Sequence, residues 1–281
     1  MTRNKSFNNG PVLYLVATPI GNLKEISKRA LEVFESADII AAEDTRNTYS
    51  LLANYGIRKE LFSLREHNEI EASQHLIKLI KSGKQVVYVS DAGYPGISDP
   101  GYLLVKQVLK EGINVSTVSG SSAFINALVA SGLPTDHFYF HGFLDRKDGE
   151  AKDTLRSLVN KPETLIFYES PHHIKKTLEM MLEILGDRDA VIARELTKLN
   201  EEYVRGPLSE LVCVNEETLK GEMVILVNGK RKSSEEVSDE EIKEKLLYYL
   251  GYKIDKKTAI ELVKNDLQVG KNRVYKIATD L

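Results

Sequence analysis

The chain has 281 residues, enough for about two domains at roughly 150 residues each. Its 42 % apolar, 28 % charged and 7 % aromatic residues are an ordinary globular mixture, and its net charge of −3 is not the footprint of a dedicated nucleic-acid binder. One cysteine, Cys213, rules out an intrachain disulfide and points to a reducing, cytoplasmic setting; with no apolar run near the ~20 residues of a transmembrane helix, membrane, secreted, collagenous and disordered classes fall away.

The first apolar, β-branched run, Val12–Ala17, follows Arg3 and Lys5 in the manner of a secretory signal. It stops at Thr18-Pro19 without a small-residue cleavage site, and a first strand is the better reading. Further strands are expected at Asp38–Ala42, Glu60–Leu64, Gln85–Ser90, Asn114–Val118 and His137–Phe143. Helical spacing fills the gaps, at Lys24–Ser36, Thr45–Tyr55, Ile70–Lys81, Gly101–Glu111 and Ser122–Ser131. Near-continuous apolar strands alternating with helices predict a mainly parallel sheet covered on both faces, here assigned to an α/β domain over residues 11–133. After Leu133-Pro134-Thr135, strands are expected at Thr164–Tyr168, Ala190–Arg194, Glu202–Arg205 and Glu222–Val227, with helices near Gly149–Val159 and His172–Leu185. The last three strands lack crossover helices, so the second domain, residues 134–228, should carry a mixed or antiparallel sheet.

The polar stretch Gly229–Val237 reads as a linker. Beyond it, Ser238-Asp239-Glu240-Glu241 is a helix N-cap signature, followed by Ile242, Leu246, Leu247 and Leu250 at helical spacing. Two shorter helices, Thr258–Val263 and Arg273–Ala278, flank Leu267-Gln268-Val269-Gly270, giving a helix-turn-helix-like tail over residues 238–281. Residues 229–281 carry net +2 and the remainder net −5. On charge alone, an RNA contact and a packing appendage stay open for this tail.

Several chemistries have no motif. There is no GxGxxG after a strand and no GxxxxGK[ST], which removes dinucleotide-binding Rossmann and P-loop readings. One cysteine and six scattered histidines compose no structural zinc site, and no metal is expected. Gly120-Ser121-Ser122-Ala123 lacks the second glycine of a nucleophile elbow. Four loops stand out because each leaves the C-terminal end of an expected strand, where open α/β sheets bind ligands. They are Thr18–Asn22, Asp91–Gly101, Ser119–Ala123 and Glu169–His172. Any one reads as a tight turn, but four at one edge, rich in glycine and proline, read as a binding cleft.

The strings LYLVATPIGNL, AAEDTRNTYSLL, VSDAGYPGISDPG, SGSSAFINALVASGLPTD, FYESPHH, RELTKLNEE and GEMVILV cover nearly the whole chain in order. Together they resemble a ribosomal small-subunit methyltransferase family within the tetrapyrrole-methylase-like (class III) S-adenosylmethionine-dependent methyltransferases. The resemblance implies two α/β domains of the tetrapyrrole-methylase type, a mainly parallel N-terminal sheet and a mixed C-terminal one, with a small helical C-terminal tail. It implies S-adenosylmethionine as donor and a homodimer. The implied activity is 2′-O-methylation of a decoding-region cytidine of 16S ribosomal RNA within the 30S subunit. Tyr94, Ser119, Ser121 and His173 depart from the family pattern, which touches RNA contact more than the donor site; loss of a cation at His173 would shift its task to Lys175, Lys176 or Arg194.

By the same resemblance the donor lies between the domains, held by Asp91, Ala92, Gly93, Ile97, Ser98, Ser122 and Ala123, with Pro19 and Tyr168 lining the pocket. A ribose hydroxyl needs a nearby group to take its proton as the C–O bond forms. Cleft-edge candidates are Glu43 and Asp44, His67 and Glu69, Glu169 and His172, and Glu195 with Lys198. Asp44 or Glu169 is the expected acceptor, with His172 orienting the ribose; Arg194, Glu195 and Lys198 read equally well as a structural ion-pair cluster. RNA contact is expected from Arg46, Arg65 and Lys198, with Arg146, Lys147, Lys152, Lys256, Lys257, Lys271 and Arg273 further out. Two other functions compete: a C-methyltransferase for a tetrapyrrole or corrinoid precursor, which has no use for the tail, and a non-catalytic ribosome-binding factor.

Overall fold

A computed structural model describes residues 12–230 and 237–281. The first residue of the expected N-terminal domain, Pro11, and most of the expected linker (residues 231–236) lie outside the described residues. The first half runs β1 (Val12–Val16), α1 (Lys28–Ser36), β2 (Ile39–Ala42), α2 (Thr45–Asn54), β3 (Glu60–Ser63), α3 (Glu69–Lys81), β4 (Val86–Val89), α4 (Tyr102–Lys110), β5 (Asn114–Val118) and α5 (Ala123–Ser131). The five strands pair only in parallel, in the order β3-β2-β4-β1-β5. Period-two alternation explains the two-sided burial. Ile39, Ala41, Val86 and Tyr88 face α3 and α4, while Ile40, Ala42, Val87 and Val89 face α1 and α2. Sequence reading merged two pieces at Lys24–Ser36: a short 3-10 turn at Leu23–Glu25, and α1 beginning afresh where the Ser27 hydroxyl accepts the Ala30 N–H at 3.1 Å.

The second half runs β6 (Phe138–Phe143), α6 (Asp148–Leu158), β7 (Thr164–Glu169), α7 (Ile174–Leu185), β8 (Asp189–Arg194), β9 (Glu202–Pro207), the single helical turn α8 (Leu208–Leu211) and β10 (Met223–Val227). Its order is β6-β7-β10-β8-β9, with β6 parallel to β7 and the other pairs antiparallel, so the sheet is mixed. One face packs on α6 and α7. The other is covered by α5, whose Ala127 and Leu128 lie against Ile166, Val191, Val224 and Leu226. Thus α5, which sequence order assigns to the first domain, packs on the second sheet and joins the two layers.

The tail forms α9 (Asp239–Gly251), α10 (Lys256–Leu267) and α11 (Lys271–Thr279). Ser238 and Asp255 cap the first two, and Ile242, Leu246, Ile260, Val263 and Val274 build a core of the tail's own.

Candidate active site

The cleft forms where β1 and β4 lie side by side. Past their ends, Thr18 and Gly93 exchange two backbone hydrogen bonds of 2.9 and 3.1 Å, which tie the first two loops together. The third loop joins them through Gly120, where an added Cβ would sit 2.9 Å from the Ala17 carbonyl oxygen; only glycine allows so close an approach. Two departures from the family pattern serve this junction. The Tyr94 hydroxyl accepts the Gly120 N–H at 3.2 Å, and the Ser121 hydroxyl donates to Glu25 at 2.9 Å.

Between the sheets lies a cavity of about 510 Å³, within the roughly 300–1,000 Å³ usual for small-molecule sites. Of the residues expected to hold a donor, Ala92, Gly93, Ile97, Ser98, Ser122, Ala123 and Tyr168 line it; Pro19 and Asp91 do not. Ile20, in the first of the expected cleft loops, joins them, and sequence reading missed Phe143, Leu196, Met223 and Val224; these supply much of the apolar wall. The four missed residues sit on the second sheet or the loop after β8, away from the expected cleft loops, and only the fold brings them to the cavity. Ser98 holds a left-handed backbone at φ 61°, and its hydroxyl lies 3.1 Å from the position of a Cβ on Gly142. Gly142 follows the irregularity in β6, where the register with β7 slips between Phe140 and Gly142. The bulge therefore makes room for a loop from the other sheet. Burial pushes the Tyr168 hydroxyl up to about 12.

Glu195, Leu196 and Lys198 also line this cavity. Lys198 bonds Glu195 at 2.9 Å and Glu222 at 3.3 Å, and its stem crosses Gly21 of the other domain, where a Cβ would come within 2.5 Å of Lys198 Cγ. The lysine hydrogen bond holds Glu195 below the usual carboxylate range. Lys198, expected at RNA, is thus held by two carboxylates of its own domain, while its stem reaches across to Gly21 of the other. Arg194 bonds Glu202 at 2.6 Å.

A second cavity, about 640 Å³, opens beside the first; Ser98 and Asp99 belong to both walls. It is lined by Glu43, Asp44, Arg65, His67, Glu69, Asp91, Tyr102 and their neighbours. Each carboxylate has a different commitment. Asp44 accepts from the Arg46 backbone at 2.9 Å and holds its guanidinium at 2.5 and 3.0 Å, which keeps the carboxyl well below its ordinary range. Asp91 accepts from the Asp44 N–H and from the Asn47 amide, so it braces the start of α2. Glu69 is buried and accepts the N–H groups of Gly101, Leu103 and Leu104. That replaces an expected cleft-edge role by an anchor for the entry to α4. Burial, reinforced by Asp91, raises Glu43. Asp99 is raised furthest among these, to about 6, first by burial and then by the Glu43 charge.

The remaining expected catalytic groups are placed otherwise. Glu169 lines the first cavity, but its oxygens accept from the Ser170 N–H at 2.7 Å and the Thr177 hydroxyl at 2.5 Å, which turns the carboxylate into α7. His172 is exposed in the turn before α7 and lines neither of the two cavities. Arg65 lines the second cavity and Arg46 pairs with Asp44 of its wall, their side chains 45 % and 83 % exposed. Among the described residues, no group of three or more His, Cys, Asp or Glu is placed to hold a metal ion, and no helix is long and apolar enough to cross a membrane.

The profile of the tetrapyrrole (corrin/porphyrin) methylases matches residues 12–212. A Vibrio cholerae protein named ribosomal RNA small subunit methyltransferase I is 46 % identical over 98 % of the chain and 97 % of its own length. The Bacillus subtilis protein of the same name is 43 % identical over 98 % and 97 %. Among solved structures, the methyltransferase CobJ is similar with a TM-score of 0.58 at 21 % identity, over 80 % of this chain and 97 % of that one, a likeness of fold.

Proposed function

This chain belongs to the tetrapyrrole (corrin/porphyrin) methylase family and, within it, to the ribosomal RNA small subunit methyltransferase I group, and on that footing we propose that it methylates the 2′-hydroxyl of a decoding-region cytidine in 16S ribosomal RNA. The substrate form is the 30S subunit, the donor S-adenosylmethionine, and the setting the bacterial cytoplasm. The observation that carries this reading is the pair of adjoining cavities, one largely apolar and the more enclosed, the other more open and lined by charged side chains, in a chain nearly half identical to named ribosomal RNA methyltransferases.

The enclosed cavity suits the donor: apolar side chains of Ile20, Ile97, Leu196 and Val224 would pack on its flat aromatic base and aliphatic chain, while the Ala92-Gly93 and Ser122-Ala123 backbones offer polar edges. When bound, S-adenosylmethionine supplies a methyl group on a sulfonium that is already a good leaving group. The protein's own work is then to hold the acceptor oxygen in line, within about 3–3.5 Å, and to accept a proton. Arg46 and Arg65 are suited to backbone phosphates, and a net acidic chain fits a folded ribonucleoprotein read by shape better than naked RNA. The ion pairs of Lys198 with Glu195 and Glu222 fix one stretch of the cavity wall. A homodimer is part of the same reading, with the exposed Ile125, Val129 and Phe138 a suitable face.

The test uses purified protein, donor labelled on its methyl, and unmodified small subunits, followed by alkaline hydrolysis of the RNA. A 2′-O-methyl group blocks cleavage at its own phosphodiester, so label is expected in an alkali-resistant dinucleotide beginning with cytidine. Label in ordinary mononucleotides means base methylation and refutes the ribose assignment. Donor binding without transfer to RNA refutes the reading altogether.

A further inference from the structure

We propose that the open cavity beside the donor site takes the acceptor nucleoside with its base against Tyr102, and that Asp99, on the wall shared by both cavities, is the catalytic residue that receives the ribose proton. This rests on the methyltransfer reading above and deepens it.

The two cavities meet at Ser98-Asp99 and nowhere else in their linings, so a group passed from one to the other passes these residues. Phosphate does not suit the open cavity, because Glu43, Asp44, Asp91 and Asp99 all line it. What suits such a wall is a partner rich in hydrogen-bond donors: ribose hydroxyls and an exocyclic amino group. Cytosine presents an amino donor where uracil presents a carbonyl, and carboxylates are its natural partners. The phosphates flanking that nucleoside stay outside, at the level of Arg65, which the nearest carboxylate holds only at 4.0 Å. Tyr102 stands at the lip with its side chain open to solvent, 66 % exposed, a flat surface for a base drawn out of its stack.

The choice of Asp99 follows from what its neighbours already do. Asp44 is tied to Arg46, Asp91 to the start of α2, Glu69 to three backbone N–H groups, and Glu169 to α7. Asp99 lines both cavities, and its carboxyl is influenced by the nearby Ser90 hydroxyl and by the Glu43 and Asp91 charges. Its backbone is fixed on both sides. Ser98 before it is wedged left-handed over the β6 bulge. After it, Pro100 accepts from the Tyr88 hydroxyl at 2.8 Å, and Gly101 donates to Glu69 at 2.9 Å. In the step, the 2′-oxygen forms its bond to the methyl carbon as the carbon–sulfur bond breaks. The electron pair of that bond stays on sulfur, which becomes a neutral thioether. The hydroxyl proton passes to an Asp99 carboxylate oxygen and then to water. A carboxyl near 6 is ionised at neutral pH yet basic enough for the task.

The test compares wild type, D99N, Y102A and Y102F on whole subunits, with donor binding measured separately by calorimetry. D99N is expected to bind donor within about twofold of wild type and to lose at least ~100-fold in single-turnover rate at neutral pH. The rising acid limb of the wild-type pH–rate profile, centred near the Asp99 value, should vanish in D99N. Y102A should raise KM for subunits more than it lowers kcat, and Y102F should restore it. A D99N rate within about threefold of wild type, or a D99N loss of donor affinity, overturns the assignment. A short decoding-region RNA carrying 5-iodocytidine tests the cavity without turnover. Photocrosslinking should mark the peptide that contains Tyr102, and a crosslink confined elsewhere overturns the cavity assignment. If wild type methylates no subunit RNA but the crosslink still falls on Tyr102, the methyltransfer reading fails and the nucleoside cavity stands.

Discussion

Replacing Glu69 with alanine should cost about 3–4 kcal/mol of stability and most of the activity. The side chain is only 6 % exposed, and a single oxygen accepts the Gly101, Leu103 and Leu104 N–H groups at 2.9, 2.8 and 3.1 Å. A hydrogen bond to a charged group contributes about 1.5–3 kcal/mol, and a buried donor left without a partner costs about 1–3 kcal/mol. Three bonds to one oxygen do not add, because each weakens the next, and the partly buried Leu103 N–H regains water. That leaves about 3–4 kcal/mol for E69A, or a melting temperature lower by roughly 6–15 °C in a protein of this size. E69Q keeps an acceptor oxygen but loses the charge, and should cost about 1 kcal/mol. Urea unfolding followed by far-ultraviolet circular dichroism reads both. Donor affinity should survive better than turnover, since Glu69 lines the open cavity and not the enclosed one. An E69A loss below about 1 kcal/mol would refute the view that this carboxylate anchors the loop.

Asp99 should behave in the opposite sense. Its folded value near 6 lies above the ordinary 3.8, so between about pH 4 and 6 the folded state holds a proton that the unfolded chain releases, and its contribution to stability is lost as pH rises through that window. D99N should therefore be more stable than wild type at pH 7 by about 1–2 kcal/mol after allowance for solvent screening, with no advantage below about pH 4; equal denaturation midpoints at pH 7 would contradict this. G120A pushes a Cβ to 2.9 Å from the Ala17 carbonyl oxygen, and calorimetry should find donor affinity down at least about tenfold with a lower melting temperature. Removing residues 237–281, which carry a core of their own and line neither cavity, should leave donor affinity within about twofold while weakening transfer to subunits. R46A should bring the Asp44 carboxyl back toward its ordinary range, as followed by carbonyl carbon resonances across an acid titration.

The strands were legible because their signal is local. Asn114–Val118 is bounded in the fold as the pattern bounds it, and Ile39–Ala42 differs by one residue. The parallel sheet followed from strand–helix alternation, and the mixed sheet from the missing crossovers. The tail's caps at Ser238 was equally plain. What the sequence hides is where a helix lays its buried side: α5 follows the parallel strands in the chain yet covers the other sheet. The site was legible as loops and not as side-chain states. Glycine and proline mark the loops that reach the enclosed cavity, but nothing in the string Glu-Ser-Pro-His says that Glu169 spends both oxygens on α7. Likewise Asp91 and Asp99 stand in one loop with the same side chain, and only burial and partners, properties of the folded chain, separate a brace from a group raised to about 6.

The two cavities differ in how their walls are drawn from the chain. The open one takes every wall residue from the stretch Glu43–Leu103, within one sheet and its helices. The enclosed one runs from Ile20 to Val224 and needs both sheets, with Lys198 reaching across from one to the other. A small rotation between the sheets would therefore widen the enclosed site and touch the open one only along its shared Ser98-Asp99 wall. On the proposed reading, affinity for the small molecule and grip on the large one would be mechanically separable, and a spent donor could leave before the ribosomal particle lets go.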